Sequence, residues 1–406
     1  MAGGMKMQSR WISIALPLLL AACASGGKAP ETRPLTLDTH VDIPFGFMRE
    51  TRFDVGKDTP LLVDLQKMRR GGLDATFLVI FVDQGPLTAE GFANAVAQAE
   101  RKYSAIELML RRYPDQIALA TTPSQVRDNR TRGKLSAMIG IENAYSLGHD
   151  LSRIDAAYAR GVRYLGLVHV GNNDLCTSSL PNEELGEANP ATTGITDFGR
   201  QSVARANALG MMVDVSHASD TCVRDVLALS TAPVIASHSS ARALVDHPRN
   251  LPDELVRAIA TKGGVIQAVA YKEFLKKDPG REAAEKALQA EVARQAGDAE
   301  FDSEKHEYLP AYIAGMQRIQ AQYPLATLDD YMRHIRHLVD VAGIDHVGIA
   351  SDFDGGGGIT GWMDASQTAN VTEALRRSGF TDEGIGKIWS GNLLRVWQAV
   401  EDHARR

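Results

Sequence analysis

Apolar residues recur along the chain in eight short runs that have the length and the β-branched composition of buried strands. The eight predicted strands are 35–41, 73–82, 134–141, 163–170, 211–216, 233–237, 263–270 and 346–351. Between them, apolar residues recur at helical spacing, for example at 61–70, 88–112, 150–160, 196–209 and 328–342. Strands and helices therefore alternate, and eight such units predict an α/β protein with a TIM-like (β/α)8 barrel rather than an open, doubly wound sheet.

Six of the predicted strands end in a histidine or an acid. These residues are His40 and Asp42, Glu142, His169, His217, His238, and Asp352. In a barrel of this type all strand C-termini lie on one face, where active sites are built. His40 and Asp42 are two apart on a strand and can bind one ion together, and a carboxylate such as Glu142 can bridge two ions. Imidazole and carboxylate ligands without thiolate suit zinc or another divalent transition ion, so the sequence predicts a dinuclear metal site.

The composition narrows the classes of function. The chain has 406 residues, of which 44% are apolar and 23% are charged, as is ordinary for a globular protein. It carries 44 Lys and Arg against 50 Asp and Glu, a net charge of -6. Because nucleic-acid binding needs a basic surface, we expect no nucleic-acid partner.

The first 22 residues have the pattern of an export signal. Lys6 and Arg10 precede an apolar stretch too short to span a bilayer, and a small-residue cleavage site ends in Cys23. This resembles a bacterial lipoprotein signal, in which Cys23 is lipid-modified; a plain secretory signal is the alternative. We therefore expect 1–22 to be removed, 23–34 to be a flexible tether and 35–406 to form the barrel. Both interpretations predict export, and Ala24 after the cysteine favours the outer membrane, with the protein facing the periplasm.

Outside the strand ends the sequence offers few further candidates. Cys176 and Cys222 could pair in an exported protein, but the sequence does not decide this. The charged, helical stretch 272–324 could form a lid or a dimer surface, and we expect much of it to be an ordinary outer-helix insertion. Whether the protein is a homodimer stays open. His334 and His337 lie beside arginines on a predicted helix, so we expect them on a solvated, cationic face.

Six motifs resemble those of the renal (membrane) dipeptidase family, which are zinc hydrolases with a TIM-like barrel. In family order they are DTHVD (38–42), GIEN (140–143), DVSH (214–217), SHSSAR (237–242), HPRN (247–250) and GIDHVGIASDFDG (343–355). The resemblance extends over roughly 35–397, and the set as a whole is very specific. The chain departs from the pattern at Val41, where many members carry Asn, at Asn143, where others carry Gly, and in the charged insertion. These departures do not touch the metal ligands.

The resemblance implies a division of the metal ligands. His40, Asp42 and Glu142 would hold one zinc ion, and Glu142, His217 and His238 would hold the other. A hydroxide that bridges the two ions would then attack the peptide bond of a dipeptide substrate. No protein nucleophile is needed, and the sequence contains no GxSxG elbow of a serine hydrolase.

The resemblance also implies which residues act on the substrate. His169 would stabilise the tetrahedral oxyanion, Asp352 would transfer the proton and Arg249 would bind the substrate carboxylate. The alternative for Arg249 is an ion pair with a surface acid such as Asp253.

Two other functions compete with the dipeptidase. Another barrel metal hydrolase of the amidohydrolase type would carry a HisXHis pair on the first strand, and this sequence has none. A non-catalytic binding lipoprotein would have lost a metal ligand, and none is missing.

Overall fold

Nine parallel strands form the centre of the described part of the chain, and eight of them make a nearly closed barrel. A computed structural model describes Met1 and residues 33–182, 186–187 and 193–406. The strands are β1 Leu37–Asp42, β2 Ala75–Phe81, β3 Ile117–Leu119, β4 Leu135–Glu142, β5 Val162–Gly166, β6 Met212–Asp214, β7 Val234–Ala236, β8 Val265–Val269 and β9 Val347–Ala350. Asp42 N donates to Phe353 O (2.9 Å) and Asp352 N donates to the His40 carbonyl (3.1 Å), so the last strand meets the first. The predicted TIM-like barrel is confirmed.

The short strand β3 was not predicted. It pairs with the first half of β4, from Leu135 to Ala137, whereas β5 pairs with the same edge of β4 further along. β3 therefore lies beside the barrel rather than in the ring.

Fifteen α-helices lie in the described ranges. They are α1 Leu65–Gly71, α2 Ala89–Arg112, α3 Pro123–Thr131, α4 Ser152–Ala159, α5 Asp197–Leu209, α6 Asp220–Leu229, α7 Asp253–Thr261, α8 Lys272–Leu275, α9 Pro279–Ala296, α10 Ser303–His306, α11 Pro310–Gln322, α12 Leu328–Ala342, α13 Thr368–Arg377, α14 Asp382–Gly386 and α15 Asn392–Ala404. Capping residues set the ends of these helices. At the start of α5, the Thr196 side chain accepts a hydrogen bond from Gly199 N, and at its end Gly210 has a left-handed backbone (φ 78°). The turn at Gly210 leads directly into β6, which carries part of the site.

The stretch 272–324, which we call the insertion, forms α8 to α11 and contributes to a cavity above the strand ends. This corrects the expectation that it is mainly an outer-helix insertion. The side chains that line the cavity include Glu273, Gln289 and Tyr312. No apolar stripe along the chain indicated this, because the buried side chains of α9 include Arg281 and Glu285, which pair at 2.6 Å.

The prediction for His334 was wrong. The His334 side chain is buried, and its Nδ1 accepts a hydrogen bond from Ala241 N (3.2 Å). His337, one turn along α12, contacts Asp253 Oδ1 (2.8 Å) and stays partly exposed. The neighbouring arginines suggested a solvated face, but α12 packs on the barrel through the side that carries His334.

The predicted signal segment, Cys23 and the tether up to residue 32 lie outside the described residues. The described residues from 34 to 406 form one compact unit. None of the described helices combines the length and the apolar character that a membrane span requires.

Candidate metal centre

The ends of four strands bring the predicted metal ligands together at one end of the barrel. His40 and Asp42 alternate with Val41 on β1, so their side chains point to the same side, and Glu142 is the last residue of β4. His217 and His238 follow β6 and β7. His217 has a φ of 67°, a left-handed conformation that costs about 1 to 2 kcal/mol outside glycine and that turns the chain sharply. Strain of this kind is typical of functional sites.

Glu142 lies between two groups of ligands. His40 Nε2 is 3.5 Å from Asp42 Oδ2 and 3.4 Å from Glu142 Oε2. The other oxygen of Glu142, Oε1, is 2.9 Å from His217 Nε2 and 3.3 Å from His238 Nε2. These two imidazole nitrogens are 2.8 Å apart. Each carboxylate oxygen of Glu142 therefore faces a different set of imidazoles, as a carboxylate that bridges two ions must.

His169 and Asp352 lie at the same centre. The rings of His169 and His217 are 4.2 Å apart, and Asp352 Oδ1 is 3.9 Å from His40 Nε2. Three trios have ligand atoms within 4.8 Å of one another: His40, Asp42 and Glu142; Glu142, His169 and His217; and His40, His238 and Asp352. Distance alone therefore does not separate ligands from catalytic groups, and that division rests on the family resemblance.

The buried environment sets the protonation of these groups. Burial acts to raise the pKa of Glu142, but the charge of His40 and the hydrogen bonds from His217 and His238 hold it well below its usual range. Burial lowers the pKa of His217 and His238 well below the ordinary value, so both rings are neutral. Burial, together with repulsion from neighbouring carboxylates, raises the pKa of Asp352 well above its usual range. The centre thus combines an ionised carboxylate at Glu142 and neutral imidazoles at His217 and His238 with an acid that can hold a proton.

Hydroxyl groups behind the ligands fix two of the histidine rings. The Ser237 hydroxyl donates to Asp214 Oδ2 (2.6 Å) and so accepts from His238 Nδ1 (2.8 Å). The Tyr164 hydroxyl lies 3.2 Å from His40 Nδ1. When a metal ion displaces the proton from Nε2, the hydrogen bond at Nδ1 would keep the other proton in place and leave the lone pair of Nε2 free for the ion, which is the tautomer that a metal ligand needs. Asp214 and Ser237 belong to motifs visible in the sequence, whereas nothing there pointed to Tyr164.

Replacing Ser237 with alanine is expected to weaken the binding of a divalent metal ion by about 10- to 100-fold, because His238 loses the acceptor that fixes its tautomer. Competition with a chromogenic chelator measures this affinity. The matched control is Ser240→Ala, since the Ser240 hydroxyl bonds to Val269 O instead of a ligand. Equal metal affinity in the two variants would refute the role of the Asp214–Ser237 pair.

The donor set fits divalent metal ions. The pKa of His40 is raised well above its ordinary value, because Glu142 and Asp42 outweigh the opposing effect of burial, so these acids attract positive charge. His40 Nε2 is buried without a hydrogen-bond partner among the described residues. The Nε2 atoms of His217 and His238 face each other at 2.8 Å, where both could bind one cation. Nitrogen and carboxylate donors without sulfur are a set that zinc accepts.

A cavity of about 780 Å³ opens above this centre, and Arg249 lies in its wall. The Arg249 side chain is 3% exposed, and its Nη2 donates to the His238 carbonyl (3.2 Å). Its Nε has no partner among the described residues. Burial lowers the pKa of Arg249 to about 10, so it keeps its charge at neutral pH. The alternative pairing with Asp253 is wrong, since that carboxylate contacts His337 and Arg257.

Comparison with known proteins places the chain in a family. The family model described as membrane dipeptidase (peptidase family M19) matches residues 31–406. The dipeptidase tcpJ of Claviceps purpurea is 30% identical over 366 residues, which cover 89% of this chain and 74% of that protein. The crystal structure of the probable dipeptidase PvdM from Pseudomonas aeruginosa superposes with a TM-score of 0.80 at 36% identity, covering 91% of this chain and 96% of that one.

A third comparison extends the likeness in fold. A metallo peptidase from Rhodobacter sphaeroides, solved with a phosphinate mimic of the dipeptide L-Ala-D-Ala, gives a TM-score of 0.71 at 22% identity and covers 91% of this chain and all of that one. The family match agrees with the barrel fold and with the motifs at the strand ends. The chain belongs to the membrane dipeptidase family, peptidase family M19.

Proposed function

We propose that this protein hydrolyses dipeptides with two zinc ions held by His40, Asp42, Glu142, His217 and His238. The observation that carries the proposal is the position of Glu142, whose two oxygens face separate imidazole groups. When bound there, two zinc ions would supply a hydroxide nucleophile at neutral pH and polarise the carbonyl of the peptide bond. A non-catalytic lipoprotein would have no reason to keep all five ligands converging in a cavity.

Asp352 transfers the proton, and His169 stabilises the negative charge that develops on the substrate carbonyl oxygen. The raised pKa of Asp352 suits it to accept a proton from the nucleophilic water and to deliver it to the leaving amine, which lets the peptide C–N bond break. His169 lines the cavity beside His217 and offers an imidazole N–H to the oxyanion that develops on the substrate carbonyl. Burial lowers the pKa of His169, so the ring is neutral when it donates.

Arg249 provides the limit on substrate length. Its unsatisfied Nε, buried in the cavity wall, can donate to the C-terminal carboxylate of a dipeptide. A longer peptide would place an uncharged amide at that position. The dipeptide mimic bound to the Rhodobacter sphaeroides relative supports a substrate of this size.

The test is to assay the purified full-length protein on dipeptides and tripeptides, with metal analysis of the same preparation. We expect free amino acids from dipeptides, little action on tripeptides and two zinc ions per chain. Tripeptide cleavage as fast as dipeptide cleavage would contradict the dipeptidase assignment. A preparation that is active without bound metal would contradict the mechanism.

We also propose that Cys23 is lipid-modified and attaches the exported protein to the outer membrane, facing the periplasm. The support is the small-residue sequence that ends in Cys23 after a short apolar stretch. Cys23→Ser is expected to abolish lipid attachment and to release the protein from the membrane fraction. If mass spectrometry finds no lipid on the wild-type protein and it fractionates as soluble, the anchor proposal is wrong.

A further inference from the structure

Cys176 and Cys222 form a disulfide, a pairing that the sequence left open. Their Cα atoms are 6.2 Å apart, and both side chains are buried. Cys176 lies in the loop after β5 that also carries His169, and Cys222 lies in the first turn of α6, just after His217. The disulfide therefore links the loop that carries His169 to the first turn of the helix that follows His217.

Backbone hydrogen bonds join the loop after β5 to the loop after β6 beside the disulfide. Ser179 N donates to the His217 carbonyl (2.7 Å), and Ser219 N donates to the Thr177 carbonyl (2.9 Å). Between these bonds, Ser178 forms an antiparallel bridge with the other loop. The segment that begins at Cys176 thus runs along the backbone of His217 and holds it directly.

The same segment also holds His169. The Ser178 hydroxyl donates to the His169 carbonyl. Asn173 Nδ2 donates to the Leu167 carbonyl (2.7 Å), and its Oδ1 accepts from Cys176 N (2.9 Å). One short segment, anchored by the disulfide, therefore positions the backbone on both sides of the paired His169 and His217 rings.

His217 needs this support more than the other two histidine ligands do. His40 and His238 have hydroxyl partners at Nδ1, from Tyr164 and Ser237. His217 Nδ1 is buried, and none of the described residues bonds to it. The orientation of its ring therefore depends on its backbone, which has the strained φ of 67°. A left-handed backbone at a residue other than glycine persists only when its surroundings hold it.

We propose that the Cys176–Cys222 disulfide is a positioning cross-link for the second ion site, because it holds His217 in the geometry of a ligand. This inference rests on the two-ion centre proposed above. Without the cross-link, the loop after β5 can move away from His217, and the ion bound by Glu142, His217 and His238 is held less tightly. The ion at His40 and Asp42 keeps its ligands.

The test compares the wild-type full-length protein with two double variants, Cys176→Ser/Cys222→Ser and Cys176→Ala/Cys222→Val. The second variant fills the space with apolar side chains and guards against a failure to fold. Chelator competition gives the two zinc dissociation constants, and thermal unfolding of the metal-free proteins gives Tm. We expect one of the two dissociation constants to rise about 10- to 100-fold in both variants while the other changes little. We also expect kcat to fall, and Cys176 and Cys222 of the unfolded wild-type chain to resist alkylation unless a reductant is added.

The outcomes separate this inference from the proposed function. If the wild type binds two ions and both variants bind them with unchanged affinity while Tm falls, the disulfide only stabilises the fold and the inference is overturned. Alkylation of the unreduced wild type at Cys176 or Cys222 would overturn it as well. A wild-type protein that binds fewer than two ions would overturn the two-ion centre and this inference together.

Discussion

Glu142→Gln is expected to lower kcat for dipeptide hydrolysis by about 1000-fold or more, the equivalent of roughly 4 kcal/mol of lost transition-state stabilisation. The substitution keeps the shape of the side chain but removes the negative charge that faces both imidazole groups. A neutral amide cannot bridge two cations as a carboxylate does, so zinc content should also fall below two per chain. Steady-state kinetics and metal analysis of the same preparation measure both effects.

The matched control for Glu142→Gln is Glu401→Gln. Glu401 is also a buried glutamate, but it lies on α15 and does not line the cavity. Its variant should keep the kcat and the zinc content of the wild type. If Glu142→Gln retained full activity with full zinc content, the assignment of Glu142 as a bridge between two ions would have to be given up.

Arg249→Lys is expected to lower kcat/KM for dipeptides by about 10- to 150-fold, which corresponds to roughly 1.5 to 3 kcal/mol for a charge-assisted hydrogen bond. Lysine keeps the charge but loses the planar group that can bind a carboxylate through two parallel bonds. Zinc content should not change, since Arg249 is not a ligand. The measurement is kcat/KM with a dipeptide whose C-terminus is free.

A dipeptide with an amidated C-terminus separates carboxylate binding from other roles of Arg249. For the amidated dipeptide, the kcat/KM of the wild type should fall about as far as Arg249→Lys lowers it for the free dipeptide. The kcat/KM of the Arg249→Lys variant should fall little further. Arg242→Lys is the control variant, because Arg242 pairs with Asp220 at 2.6 and 2.8 Å outside the cavity. Equal cleavage of the free and amidated dipeptides by the wild type would rule out the carboxylate clamp.

The sequence predicted the barrel and the position of the centre because the C-terminal ends of parallel barrel strands all lie on one face. Once Glu142, His217 and His238 are placed at or just after strand ends, the barrel must bring them to one face. The spacing of His40 and Asp42 on β1 likewise fixes the side to which they point. These inferences need only the order of the strands and not the packing of side chains.

Features that depend on packing could not be predicted from the pattern of the chain. The Tyr164 hydroxyl reaches His40 across the barrel interior, and such a contact leaves no signal in sequence spacing. His334 lies beside arginines yet faces the barrel, because α12 packs through that side. The insertion lines the cavity with charged side chains that pair with each other, such as Lys272 and Glu285 at 2.9 Å, so it looked like a solvated surface.

The central claim is that hydrolysis requires two ions that share Glu142. Its most direct test is to remove metal from the full-length protein and to measure dipeptide hydrolysis as zinc is added back in known equivalents. The two-ion centre predicts little turnover below one equivalent, a rise that is completed at two equivalents, and no such rise in Glu142→Gln. Full turnover at one equivalent, or turnover by the metal-free protein, would contradict it.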